Sequence, residues 1–241
     1  GRRPQRPRPA AGGGRIMSGT IGHIWVLLAK DLRIEARGRQ TIGLVAVLAI
    51  LIIVVLGLGL GGDRPITGFG ASAILWVAYL FGGVLCFERT MAWERHDDAL
   101  AGLLAAPIDR AAIYAAKLLA NLALMFGLAA IVTPVAVVLF RFDLSAHPGA
   151  FALVMCLGMT GFAAIGTLFA AAISSSRLQG GLLAMLVFPL CLPVVIVSTQ
   201  LMRRVFEQGE SVLSGGLATL AAGDAIYLVA SWIVFEMVLE P

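Results

Sequence analysis

Charge is what this chain has least of. Asp, Glu, Lys and Arg make up 13% of its 241 residues, about half the share of a soluble domain. Hydrophobic residues make up 59%, and a chain this short cannot fold so much apolar surface inside itself. A water-soluble fold is excluded. Cysteine is also sparse. Cys86, Cys156 and Cys191 sit in apolar runs without CxxC spacing, and read as small buried hydrophobes, not as a disulfide framework or a metal site. His23, His96 and His147 are scattered and share no ligand spacing. HExxH, GxSxG and the P-loop GxxxxGK[ST] are all missing, so the chain has no motif with which to hydrolyse ATP itself. Basic patches interleaved with aromatics are missing too, which excludes nucleic acid as a partner.

What the chain does have is long apolar runs. Uncharged stretches at residues 41–60, 68–87, 118–140, 151–173 and 180–200 are each long enough to cross the hydrocarbon core. Residues 212–239 are too long for one upright span. They are read as a short re-entrant or interfacial piece up to Ala222, followed by a sixth span; the spans are thus six, the last at about 220–239. Pro189 and Pro193 are expected to kink the fifth span, and Met202 to Glu210 reads as a polar loop. Gly82-Gly83 permits close helix contact in the second span. The run GLGLGG at 57–62 looks like a nucleotide fingerprint, but it closes a span and does not join a strand to a helix. Asp224 stands in or at the edge of a span, where a carboxylate is costly; a group on a pathway and a helix N-cap at the outer interface both fit.

Ahead of the first span, residues 22–39 (GHIWVLLAKDLRIEARGR) have helical periodicity. Ile24, Trp25, Leu28, Leu32 and Ala36 share one face, and Lys30, Arg33 and Arg37 the opposite one. This pattern describes an interfacial elbow helix, apolar side in the lipid boundary and basic side toward headgroups. Asp31 and Glu35 intrude on the apolar arc and either face protein or form a solvated edge. Residues 1–21 are Pro-, Gly- and Arg-rich, read as a disordered basic tail or extension, and include Met17 as a candidate start. Residues 22–241 form a single membrane domain.

Cations set the orientation. Lys30, Arg33, Arg37, Arg39, Arg89, Arg95, Arg110, Lys117 and Arg177 fall on one side, and only Arg64, Arg141, Arg203 and Arg204 on the other. Both termini and the 88–117 segment are therefore expected in the cytoplasm, on the positive-inside rule. No internal repeat marks an inverted-repeat transporter.

The segment from Glu88 to Lys117 (ERTMAWERHDDALAGLLAAPIDRAAIYAAK) is the one long charged stretch between spans. Residues 92–106 can form a short amphipathic helix, with Leu100, Leu103 and Leu104 on one side and Arg95, His96, Asp97 and Asp98 on the other. Pro107 ends it, and Asp109 is placed to cap a new helix from Arg110. A lever held between two spans suits transmission of force from a soluble motor; a solvated loop helix without a partner is the plainer alternative. Glu88, Arg89, Glu94, Arg95, His96, Asp97 and Asp98 are the candidate coupling residues. Lys117 is expected to snorkel to headgroups or to pair with Glu88 or Glu94, and Asn121 lies one turn beyond it.

This segment resembles the first cytoplasmic loop of the CcmB family, the permease subunit of the cytochrome c maturation ABC complex. The features that match are Glu88-Arg89 leaving the second span, Asp97-Asp98 followed by Leu100 and Leu104, then Pro107 and Lys117. AKDLRIEARGRQ is similar to the family's elbow, and LLAMLVFPLCLPVVI to its fifth span. The resemblance implies an all-α integral membrane fold of six transmembrane helices, with an N-terminal elbow helix and a cytoplasmic coupling helix, similar to ABC-2 permeases. It implies a bacterial inner-membrane location, a separate CcmA-like ATPase that binds ATP, CcmC-like and CcmD-like membrane partners, and a CcmE-like haem chaperone. Haem would be handled by the complex, with no cofactor or metal held by this chain: Trp25, Trp76, Trp93 and Trp232 stand apart, and no WWD segment or facing His pair is present. Asp224 departs from the family's mostly apolar last span. A generic ABC-2 exporter of lipid, glycan or drug, and a non-transporting membrane scaffold, are the rival readings.

Overall fold

The structure, a computed structural model, describes residues 22–33, 40–61, 66, 68–96, 110–141, 144–174, 182–213 and 216–238. Residues 22–33 form helix α1. Six long helices follow: α2 Gln40–Gly61, α3 Gly68–His96, α4 Arg110–Phe140, α5 Pro148–Ser174, α6 Leu182–Gln208 and α7 Gly216–Val238. Each of α2–α7 is long and apolar enough to cross a membrane. No strand occurs among the described residues. The fold is an all-α integral membrane protein, and α-helices suit a bilayer because they satisfy their backbone groups internally.

Helices α3 and α5 are the most enclosed and α2 and α7 the most exposed. The strongest packing pairs α5 with α7 and α6, and α3 with α6 and α2. Outward faces carry exposed Leu51, Val55, Met185, Ile226 and Ile233, as expected where lipid is the solvent. Helices approach closely at small residues. A Cβ on Gly166 would run into the ring of Phe87, and one on Gly158 into the indole of Trp76. Trp76 in turn sits edge-on to Tyr79 and Phe162, with centroids 5.7 and 5.8 Å away. Gly82, expected to allow close contact, sits against Leu128 of α4.

The helix ends differ from the sequence-based expectation in four places. Helix α3 continues to His96, so residues 92–96 are its end and not the opening of a separate lever. Helix α4 starts at Arg110, as expected, but runs without a break into the third span. Helix α6 runs to Gln208, so Met202–Gln208 is helix and not loop; its residues are good helix formers. It ends at Gly209, whose φ of 65° is the left-handed conformation glycine takes at helix ends, and the Glu210 N–H donates back to the Arg204 carbonyl at 3.0 Å. Residues 216–238 are one continuous helix, not a re-entrant piece and a span; Gly223 alone does not break an Ala-rich run.

Pro189 and Pro193 lie inside the continuous helix α6. Between them, the Leu190 carbonyl accepts the Tyr227 hydroxyl of α7 at 3.0 Å. Pro134 is likewise inside α4. Its neighbour Thr133 donates to the Ala129 carbonyl at 2.6 Å. Thr133 has a single hydroxyl proton, so Tyr79 is the donor in the 2.6 Å bond between the two hydroxyls.

Candidate functional site

Two clusters of polar contacts lie toward the ends of this bundle. At one end the α3 N-terminus meets the α6 C-terminus. The Phe69 N–H, one of the first in α3 and without an intrahelical acceptor, donates to Glu207 Oε1 at 2.7 Å. Arg203 bridges to Glu207 at 3.5 Å and stands 5.4 Å from the Phe69 ring centroid. The ring of His147 lies 5.7 Å from that of Phe206.

The other end carries α1. Here Lys117 Nζ of α4 donates to Asp31 Oδ2 of α1 at 2.7 Å, and both side chains are almost fully enclosed. Lys30 reaches the other Asp31 oxygen at 3.4 Å. One turn along α4 from Lys117 is Asn121, which is wholly buried. Its amide nitrogen donates to Thr167 Oγ1 of α5 at 2.8 Å. Its oxygen accepts from Thr90 Oγ1 of α3 at 2.9 Å. Thr90 also lies 2.5 Å from the Cys86 carbonyl and divides its one proton between the two acceptors. Two turns of α4 thus hold α1, α3 and α5 by polar contacts.

The expected coupling residues lie around this junction. Glu88 is half-buried on α3. Arg89, Glu94, Arg95 and His96 belong to the last turns of α3. Asp97 and Asp98 fall outside the described residues, as do Glu35 and Arg37 of the elbow. Lys30, Asp31 and Arg33 are on α1, with Arg33 exposed. Asp31 faces protein. Lys117 pairs with Asp31: α1 folds back over α4 and brings Asp31 to it. Thr90 and Thr167 were not singled out from the sequence, although hydroxyls beside a buried Asn are the expected way to satisfy its amide. Asp224 is not an N-cap, since α7 begins at Gly216 and Asp224 is buried within it.

Among the described residues, no group of three or more His, Cys, Asp or Glu is placed to hold a metal ion. His23 and His147 are exposed, one on α1 and the other at the opposite end of the bundle. An apolar groove of about 480 Å³ lies between α4 and α5, lined by Phe126, Pro134, Val137, Phe151 and Met155. At Asp31–Lys117 and Asn121 a surface helix is pinned by a buried ion pair to a membrane helix, which is hydrogen-bonded to two others.

These features define a multi-pass helical membrane protein with an N-terminal helix locked onto its bundle. The family model described as CcmB protein matches residues 22–236. Heme exporter protein B of Rhodobacter capsulatus is 31% identical over 180 residues, covering 74% of this chain and 81% of the relative. Heme exporter protein B of Paracoccus denitrificans is 31% identical over 179 residues, with the same coverage of 74% and 81%. Heme exporter protein B of Bradyrhizobium diazoefficiens is 32% identical over 173 residues, covering 70% and 76%. The chain belongs to the CcmB protein family.

Proposed function

We propose that this chain is the membrane permease subunit of an ATP-driven complex in haem export and cytochrome c maturation. The observation that carries the reading is the family match over residues 22–236, together with relatives named as heme exporter proteins. The chain is not an enzyme by itself. ATP is hydrolysed by a CcmA-like partner, which docks on the cytoplasmic segment from Glu88 to Asp109. CcmC-like and CcmD-like subunits sit beside it in the bacterial inner membrane, and the work done is delivery of haem or release of a CcmE-like haem-loaded chaperone. Haem is cargo of the complex.

The mechanics follow from the junction. Motion of the partner ATPase pushes on the connection between α3 and α4. The elbow helix is pinned to α4 through Asp31 and Lys117 at 2.7 Å, so α4 and α1 move as one lever. Asn121 carries the motion to α5 through Thr167 and to α3 through Thr90. Glu88, Arg89, Glu94, Arg95, His96, Asp97 and Asp98 receive the push.

The test combines isolation with charge reversal. The tagged chain is extracted in gentle detergent, and co-purifying proteins are identified by mass spectrometry. An ATPase together with a haem-handling membrane protein is the expected result. An ATPase without a haem partner turns the assignment to a generic exporter, and no ATPase from a folded preparation turns it to a scaffold. In a strain lacking the native gene, Asp97→Lys with Asp98→Lys is expected to insert normally yet lose covalent haem in c-type cytochromes. Full cytochrome assembly in that variant removes the coupling role.

A further inference from the structure

Asp224 is the charged side chain that the force-transmitting junction leaves unused. It lies eight residues into α7, about 12 Å along the helix from Gly216, and only 3% of it is exposed. Neither carboxylate oxygen has a hydrogen-bond partner among the described residues. A Cβ on Gly161 of α5 would collide with Asp224 Oδ1 and would stand 3.3 Å from Val194 of α6. The carboxylate thus occupies the notch that Gly161 opens between α5, α6 and α7. One turn along the same face of α5, the site of a Cβ on Gly158 is 3.0 Å from Ser198 Oγ of α6. Ser198 is fully buried, and its hydroxyl also lacks a partner among the described residues.

The groups around Asp224 do not compensate it. Helix α5 carries no Asp, Glu, Lys, Arg or His along its length. On α6 the nearby ionisable group is Cys191, a buried thiol; Arg203 and Arg204 are exposed toward the end of that helix. On α7, Tyr227 is within electrostatic reach of both Cys191 and Asp224, but its hydroxyl proton is committed to the Leu190 carbonyl at 3.0 Å. On α4, Tyr114 meets α7 at Trp232 and Phe235, two turns and more beyond Asp224. A bare carboxylate in such surroundings is strongly disfavoured. Asp224 itself is 3% exposed, so a small occupant can balance the carboxylate where it stands.

We propose that Asp224 and Ser198, set along the Gly158–Gly161 face of α5, form an intramembrane binding site for one monovalent cation, either a proton or Na⁺. The carboxylate supplies the charge and the Ser198 hydroxyl a second oxygen. The hard oxygen donors suit both occupants.

The experiment uses the full chain in lipid nanodiscs, as wild type and as Asp224→Asn. Infrared spectra across a pH series read the protonated-carboxyl stretch, and thermal unfolding is compared in Na⁺ and choline at constant ionic strength. If the occupant is a proton, wild type shows a protonated-carboxyl band that Asp224→Asn loses, with no preference for Na⁺. If it is Na⁺, the wild-type midpoint rises by several degrees in Na⁺ over choline by mass action, and the rise disappears in the variant. Either result supports the site. Absence of both an Asp224-dependent band and a Na⁺-specific shift overturns it. Should Asp224→Asn fail to fold, Ser198→Ala serves in its place: it should displace the band or shrink the Na⁺ shift, and an unchanged spectrum with an unchanged shift overturns the proposal.

Discussion

Lys117 of α4 and Asp31 of α1 form a buried ion pair at 2.7 Å, with side-chain exposures of 5% and 8%. The pair joins a helix that precedes the first span to one that starts after the second. Breaking a buried pair costs about 3–5 kcal/mol where nothing else balances the charge left behind; Lys30, 3.4 Å from Asp31, lessens that cost on the Asp31 side. Lys117→Met and Asp31→Asn are each expected to lower the unfolding midpoint clearly. The exchange Asp31→Lys with Lys117→Asp should recover part of the loss, and a double-mutant cycle on thermal or denaturant unfolding reads the coupling directly.

The neighbouring Asn121 makes a weaker demand. Its bonds to Thr167 and Thr90 are neutral, and interhelical hydrogen bonds of this kind in membranes are worth about 0.5–2 kcal/mol. Asn121→Leu is expected to cost stability in that range while leaving insertion intact. If the network carries motion between helices, the same variant loses c-type cytochrome assembly out of proportion to its stability loss. Cytochrome yield compared with the unfolding midpoint separates the two roles.

The spans were legible because a membrane span is a local property: an apolar run of sufficient length. What the sequence could not disclose was where the helices continue past the apolar runs. Met202–Gln208 is polar enough to look like a connection, yet its residues are good helix formers and nothing interrupts them. The elbow was legible from periodicity, and the intrusion of Asp31 on its apolar arc left open a contact with protein or a solvated edge, of which the structure shows the first. Its partner was not legible, because Asp31 and Lys117 are 86 residues apart and apolar faces look alike whichever helix they meet. In the sequence Asp224 fits an N-cap as well as a group on a pathway, because nothing local marks the helix start at Gly216. Once the helix begins at Gly216, the same residue becomes an interior carboxylate.

Close contacts at glycine set a sharper test of the packing. The Phe87 ring of α3 fills the space where a side chain on Gly166 of α5 would stand, and Phe87 is 1% exposed. Gly166→Ala is expected to destabilise by about 1–3 kcal/mol through overpacking. Phe87→Leu should be costly alone because it opens a cavity, but paired with Gly166→Ala it should cost less than the sum of the two. Strict additivity in unfolding measurements would show that the two residues do not touch.

Sidedness ties the fold to the proposed mechanism, and it can be read without activity. Arg203, Glu207 and Glu210 lie at the end of the bundle opposite α1 and the Asp31–Lys117 pair. On the positive-inside rule the α1 end is expected in the cytoplasm. Glu210→Cys, exposed at the end of α6, should therefore react with a membrane-impermeant maleimide in intact spheroplasts. Lys30→Cys should react only after permeabilisation. The native thiols offer little background, since Cys86 and Cys191 are buried and Cys156 is exposed within the apolar span of α5. The reverse labelling pattern would place the connection between α3 and α4 outside the cell, away from any ATP. The lever would then have no motor to drive it, whatever the strength of the ion pair that holds it together.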